Sequence, residues 1–374
     1  MFDDVNLLIT DFIYVAVILI GAFLSCALTP LMRRCAVKVG AMDKPDGKRK
    51  LQKEPVPYFG GVAIVASFIA VGTVTLAILG ELTRNYIIIA VGTLLMMITG
   101  VIDDLFDMKS FVKFFIQVAV ALATVLLGGA IEYVYIFGHY IRFGVFSVPL
   151  TVLWIVLVIN SLNMMDGLDG LACGISSFAL MALFISALVN GDVVSAVICS
   201  ALCGAALGFL PYNLTPASIF MGDAGAMSLG YVMATVSVLG FFKGQAFLSV
   251  IIPAIVLALP VTDAVRLFFV RISKGRNPFS SDRLHIHHIL VDMGFSPRTA
   301  VLILYLLSSL FSIAAIIYIK SHVIAIVIIA VALAALISIR FIPKIIKKSS
   351  NKAAQDAPEN DDALSSGDGK GESV

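Results

Sequence analysis

Three aspartates, Asp103, Asp104 and Asp107, lie within about one helical turn, with Asp103 and Asp107 at i, i+4 on one face. Like charges this close need a counterion, and Lys113, a turn or so further on, can neutralise them or meet a phosphate. A second polar run, from Asn160 and Asn163 through Asp166-Gly167-Leu168-Asp169-Gly170, interrupts apolar sequence with two amides and two carboxylates. Its glycines let backbone approach a ligand, and a plain turn needs none of the four polar side chains. A third run, Phe220-Met221-Gly222-Asp223-Ala224-Gly225, offers a carboxylate at a helix entrance beside a ring able to stack on a base. Hard oxygen donors of this kind suit Mg²⁺ or Mn²⁺ bridging phosphates, with Asp223, Asp103 and Asp104 as the candidate ligands.

His285, His287 and His288 form the fourth cluster, after Asp282 and Arg283. Three imidazoles suggest zinc, but His285 and His288 share a face that His287 does not, and no cysteine accompanies them. Recognition of a diphosphate or a sugar is an equally physical reading. Asp263, two turns before this loop, can face it as well. The five cysteines have no ligand or disulfide spacing and read as packing residues.

The elements that position these residues are membrane helices. Of 374 residues 60% are hydrophobic and only 13% charged, and mean hydropathy is +1.01. That is too few charges to coat a water-facing surface, so a soluble, secreted or disordered chain is excluded. A net charge of +2 gives no argument for nucleic acid as a partner. Apolar runs long enough to span the bilayer as helix recur about eleven times. They run near Phe12–Met32, Gly60–Gly80, Tyr86–Ile102, Phe111–Gly129, Val148–Leu162, Leu171–Val189, Val193–Leu210, Ala224–Phe242, Ala246–Val270, Thr299–Ile319 and Val323–Phe341. The expected fold is an all-α polytopic bundle, one transmembrane catalytic domain over 1–342 with an active-site cleft on its cytoplasmic face. A disordered cytoplasmic tail is expected over 343–374, where apolar residues are too few to pack.

Basic residues in short loops stay on the cytoplasmic side. Twenty of the 26 fall on one set of alternate loops, whereas the other set holds Arg84, Arg142, Lys243 and Lys320. This places the N-terminus outside, the C-terminus inside, and every aspartate cluster on the cytoplasmic face. The first of these loops, Asp43 to Lys50, reads as positive-inside charge that can also steer an anion inward. No basic n-region precedes the first apolar run, so a cleaved signal peptide is not expected.

The motifs together resemble the polyprenyl-phosphate N-acetylhexosamine-1-phosphate transferases, a likeness that covers about Phe12 to Phe341. The family's DDxxD matches Asp103, Asp104 and Asp107; its NxxNxxDGxDGL matches Asn160, Asn163, Asp166, Gly167, Asp169, Gly170 and Leu171; its FxGDxG matches Phe220, Gly222, Asp223 and Gly225. His285-Ile286-His287-His288, after Pro278 to Arg283, is similar to the branch that moves GlcNAc-1-phosphate from UDP-GlcNAc to undecaprenyl phosphate. The muramoyl-pentapeptide branch differs there and has Lys where Asp107 stands. One departure is Leu51-Gln52, where family members usually show a histidine, so that histidine's role does not transfer.

The resemblance implies a bundle of about ten or eleven helices in the bacterial cytoplasmic (inner) membrane, magnesium or manganese, and commonly a homodimer. It also implies attack by a lipid phosphate on the β-phosphorus of the nucleotide sugar, release of UMP, and the start of a lipid-linked cell-envelope glycan. Roles follow on the matched positions: Asp223 on the metal, Asp103 or Asp104 on the lipid phosphate or a proton, Phe220, Asn163 and Asp169 on uridine, and the histidines on sugar or diphosphate. Asp166 joins the catalytic set, and Asp107, Lys113 and Asn160 the substrate-binding set. The alternative is an ion-coupled transporter with a carboxylate-lined site, which needs polar groups at mid-membrane rather than at one face.

Overall fold

The computed structural model describes residues 2–43, 54–136, 139–240, 248–275 and 284–355. The basic run at 44–53, Asp282 with Arg283, and the tail beyond 355 lie outside the described residues. The helices are α1 (Phe2–Val39), α2 (Gly60–Ile78), α3 (Arg84–Phe106), α4 (Ser110–Gly128), α5 (Ser147–Met165), α6 (Leu171–Val189), α7 (Val193–Asn213), α8 (Gly222–Leu239), α9 (Leu248–Val256), α10 (Ala258–Ser273), α11 (Ile286–Asp292), α12 (Pro297–Tyr318) and α13 (His322–Gln355). Two short antiparallel pairs interrupt them: β1 (Met42–Asp43) with β2 (Val56–Pro57), and β3 (Tyr133–Ile136) with β4 (His139–Arg142). Fold class is therefore all-α, as expected.

Nine segments among the described residues are long and apolar enough to cross a membrane. They coincide with nine of the eleven expected runs, and the chain is a multi-pass membrane protein. The other two runs differ for physical reasons. The run from Ala246 to Val270 is broken at Leu257 into α9 and α10. Pro260 lacks the N–H that would bond the carbonyl of Val256, so one continuous helix loses a rung there. The run from Ala224 to Phe242 becomes α8, which is less apolar than its neighbours yet buried at every position except Asp223. A helix encased by other helices needs no lipid-facing stripe, and small residues let the neighbours approach.

Two close approaches fix where α8 begins. A β-carbon on Gly61 of α2 would overlap the backbone of Gly225, and one on Gly100 of α3 would overlap the backbone nitrogen of Ala224. The first turn of α8 is thus pressed between α2 and α3, with α5 packed along its length. Two polar pairs tie helices together within the bundle: Thr124 and Tyr231 hydroxyls lie 2.7 Å apart, and Trp154 Nε1 donates to Ser237 Oγ at 2.9 Å. Such pairs hold helices together where no water competes. At the C-terminal end α13 continues to Gln355, past the domain boundary expected at 342.

Candidate active site

Lys113 stands at the centre of the acidic cluster. Its position is set by α4, the first turn of which places it between Asp103 at the end of α3 and Asp223 at the start of α8. Lys113 Nζ donates to Asp103 Oδ2 at 2.9 Å, to Asn163 Oδ1 at 3.3 Å, and to a carboxylate oxygen of Asp223. Asn163 Nδ2 donates in turn to Asp223 Oδ1 at 2.7 Å. Three helices therefore deliver one oxygen each to a single ammonium. Asp223 remains the most open of the charged members, with 28% of its side chain exposed against 13% for Lys113 and Asp103.

Asp104 has a different task from its neighbour. A helical step turns its carboxylate toward α8, where Oδ1 accepts the N–H of Asp223 at 3.0 Å and Oδ2 that of Ala224 at 3.5 Å. No side chain of its own segment caps α8, so Asp104 supplies the N-cap from another helix and meets the positive end of the dipole. Gly222, at φ 69°, makes room for it, because a β-carbon there would overlap the carboxylate. Asp107 closes α3 in the left-handed conformation at φ 50° and is exposed, so the structure leaves it at the rim, away from the ammonium.

Behind Lys113 a second polar pair lies within the bundle. Asn160 Nδ2 donates to Gln117 Oε1 at 2.6 Å, one turn below Asn163 and Lys113 respectively. Gln117 is wholly buried and was missed from the sequence; its signal is a lone amide in an apolar run, at i+4 from Lys113. Asp166 follows α5 as its C-cap. Loss of water pushes its carboxyl up to about 7, helped by the nearby charges of Asp104 and Asp169. Asp169 is also raised by burial, but its Oδ2 accepts the N–H of Ala217 at 3.0 Å, which ties the loop before Phe220 to the Asp166–Gly170 loop.

That loop is held from a third side. Phe220 N donates to Pro57 O at 2.8 Å, Gly60 N to Phe220 O at 3.0 Å, and Gly61 N to Met221 O at 2.8 Å. Tyr58, between these anchors, donates to Asp43 Oδ1 at 2.6 Å, and its ring lies 6.2 Å from that of Phe220. The Asp43 carboxylate beside it, after burial itself, drives the phenol upward from its ordinary range. Tyr58 is a second residue missed from the sequence, because nothing in an isolated Tyr-Phe-Gly-Gly run shows what its backbone will pair with.

The histidines lie on α11 and at its N-cap, with His285 held by Asp263 of α10. His285 and His287 are buried and stacked, with ring centres 5.5 Å apart and planes at 13°; the His288 ring is 4.3 Å from His287. The His287 ring lies against Gly167, where a β-carbon would overlap Nε2. Burial, then the neighbouring His288 and His285, pull the His287 pKa down to about 3, with Asp263 opposing. His287 is therefore a neutral ring throughout the physiological range.

Residues 86–241, which carry the aspartate and asparagine motifs, match the family model described as Glycosyl transferase family 4. The chain is 37% identical over 292 residues to the probable undecaprenyl-phosphate N-acetylglucosaminyl 1-phosphate transferase of Bacillus subtilis (strain 168), covering 78% of this chain and 80% of that one. The chain belongs to glycosyl transferase family 4. It is also 34% identical over 322 residues to the decaprenyl-phosphate N-acetylglucosaminephosphotransferase of Mycobacterium tuberculosis (strain ATCC 25618 / H37Rv), covering 77% and 78%. With the undecaprenyl-phosphate alpha-N-acetylglucosaminyl 1-phosphate transferase of Escherichia coli (strain K12) it shares 30% identity over 286 residues, 74% and 76% of the two chains. Membership in this family makes the protein an enzyme and displaces the transporter alternative.

Of the residues read from the sequence, the fold brings Asp103, Asp104, Lys113, Asn163 and Asp223 into one bonded network, leaves Asn160 in a separate pair with Gln117 behind it, and sets Asp107 outside it. Asp166, Asp169 and Phe220 lie on two loops fastened to that network, and the histidines close its other side through Gly167. Among the described residues no three acidic, histidine or cysteine side chains are spaced as a closed metal site. What the network does offer is oxygen: Asp103, Asp223 and Asn163 all aim at a cation, here an ammonium. That donor set fits an open Mg²⁺ or Mn²⁺ position completed by substrate phosphates.

Proposed function

We propose that the protein transfers GlcNAc-1-phosphate from UDP-GlcNAc to undecaprenyl phosphate. A phosphate oxygen of the lipid attacks the β-phosphorus of the donor, the bond from that phosphorus to the bridging oxygen breaks, and UMP leaves with the electron pair. The observation that carries this reading is the convergence of Asp103, Asn163 and Asp223 on one cationic centre at the ends of three membrane helices. A site at helix ends admits a water-soluble nucleotide from one side and a lipid headgroup from the other. The relatives' names point to the same donor and acceptor classes.

Within that reaction Lys113 supplies an N–H donor for phosphate oxygens, and Asn163 orients the Asp223 carboxylate. Asp104 fixes Asp223 through the cap of α8 rather than by touching substrate. Phe220 presents a ring for the uracil, and the histidine cluster, neutral at His287, offers hydrogen bonds to the sugar or diphosphate without adding a charge. A divalent Mg²⁺ or Mn²⁺ held by Asp223 and Asp103 would neutralise charge on the diphosphate. The active site and C-terminus are assigned to the cytoplasmic side of a bacterial inner membrane, where nucleotide sugars are found. A homodimer is the proposed assembly.

Purified protein given UDP-[³H]GlcNAc, undecaprenyl phosphate and Mg²⁺ should place label in the organic phase and release UMP. Chelation with EDTA should stop it. Organic-phase label that depends on neither the acceptor lipid nor a divalent ion would refute the reading.

A further inference from the structure

Asp263 belongs to no part of the acidic cluster and is 1% exposed on α10. Its Oδ2 accepts from His285 Nδ1 at 3.0 Å and from the backbone N–H of Ile286 at 3.4 Å. Its Oδ1 faces Arg266 at 3.6 Å, and Arg266 donates to the carbonyl of Leu284 at 3.1 Å. Two α10 side chains thereby grip the chain at 284–286. A carboxylate accepts only, so His285 presents its proton at Nδ1 and leaves Nε2 on the opposite edge. A bond of this kind fixes both the tautomer and the ring plane.

The ordering passes onward through stacked rings. His285 lies parallel to His287, and His287 is 1% exposed with its ring wedged against Gly167, the exposed corner of the loop that also carries Asp166. His287 Nδ1 has no hydrogen-bond partner among the described residues. Among the described residues this ring is held by its stacking on His285, which Asp263 fixes, and by its contacts with His288 and Gly167. If Asp263 merely filled space, an apolar side chain would serve as well or better, because a buried charge must give up its hydration.

We propose that Asp263 is a positioning residue which, by holding His285, sets His287 against the Gly167 corner and so tunes transfer without touching substrate. The inference rests on the sugar-phosphate transfer reading. A double-mutant cycle with Asp263→Ala and His285→Ala tests it, with kcat and the KM for UDP-GlcNAc measured per folded protein. Each single variant should lose about 10- to 100-fold in kcat, while KM moves by less than about threefold. The double variant should be no slower than His285→Ala alone, since residues that act as a unit are not additive. Asp263→Asn, isosteric and still able to accept from the ring, should fall between wild type and Asp263→Ala; it carries the cycle if the alanine variant does not fold. Wild-type kcat in Asp263→Asn and Asp263→Ala, or losses that multiply in the double variant, overturn the proposal. Wild-type protein that makes no lipid-linked product overturns the transfer reading instead.

Discussion

Asp103 and Asp104 are consecutive residues with separate duties, because one helical step turns one carboxylate to Lys113 and the other to the N-terminus of α8. Asp104→Ala should remove a cap, costing about 1–2 kcal/mol of stability, and should lower turnover by displacing Asp223; thermal unfolding and kcat on one preparation check both. Asp223→Asn keeps the fold and loses nearly all activity from pH 6 to 9, since no change of pH restores the lost charge. Asp166 makes a pH prediction of the opposite kind. Its folded pKa of about 7 lies above the ordinary carboxylate range, so the folded state holds the proton longer, and this stabilisation is lost as pH rises through about 7. Asp166→Asn should therefore raise Tm in detergent at pH 8, by about 2–4 °C if the gain is about 1 kcal/mol, and leave it unchanged at pH 4. An equal shift at both values would contradict the assignment.

At the level of elements, the site is built by backbones that touch. Gly100 and Gly61 let α3 and α2 close on the first turn of α8, which is what brings Asp104 within reach of its N–H groups. Gly100→Ala should push α3 away, cost about 1–3 kcal/mol, and reduce kcat more than KM; unchanged Tm and kcat would show that the contact is slack. The motif residues were legible as chemistry because acids and amides are rare in apolar helices. Their pairing was not: Lys113 and Asp223 are far apart in the chain, and only the packing of both α4 and α8 against α3 and α5 makes them neighbours. The spans of α3, α4 and α5 were legible as apolar runs of bilayer length. Encasement of α8 was not, because hydropathy reports contact with lipid and this helix has almost none, and the break at Leu257 was carried by a single proline.

The whole molecule has its chemistry at one end, and the proposal puts that end in the cytoplasm, as the positive-inside distribution of basic residues leads one to expect. Arg84 and Lys109 flank α3 and are both exposed. In a background with exposed Cys26 and Cys35 replaced by alanine, a cysteine at 84 should react with a membrane-impermeant maleimide added to intact cells, and one at 109 only after lysis. The reverse pattern would put the carboxylates on the wrong side for a cytoplasmic nucleotide. The central claim is that a whole sugar phosphate moves, and not the sugar alone. Donor labelled as [β-³²P]UDP-GlcNAc, incubated with purified protein and undecaprenyl phosphate, follows that phosphorus directly. The account predicts ³²P in the lipid and unlabelled UMP in water; ³²P left in released UDP, with the sugar alone on the lipid, would contradict it.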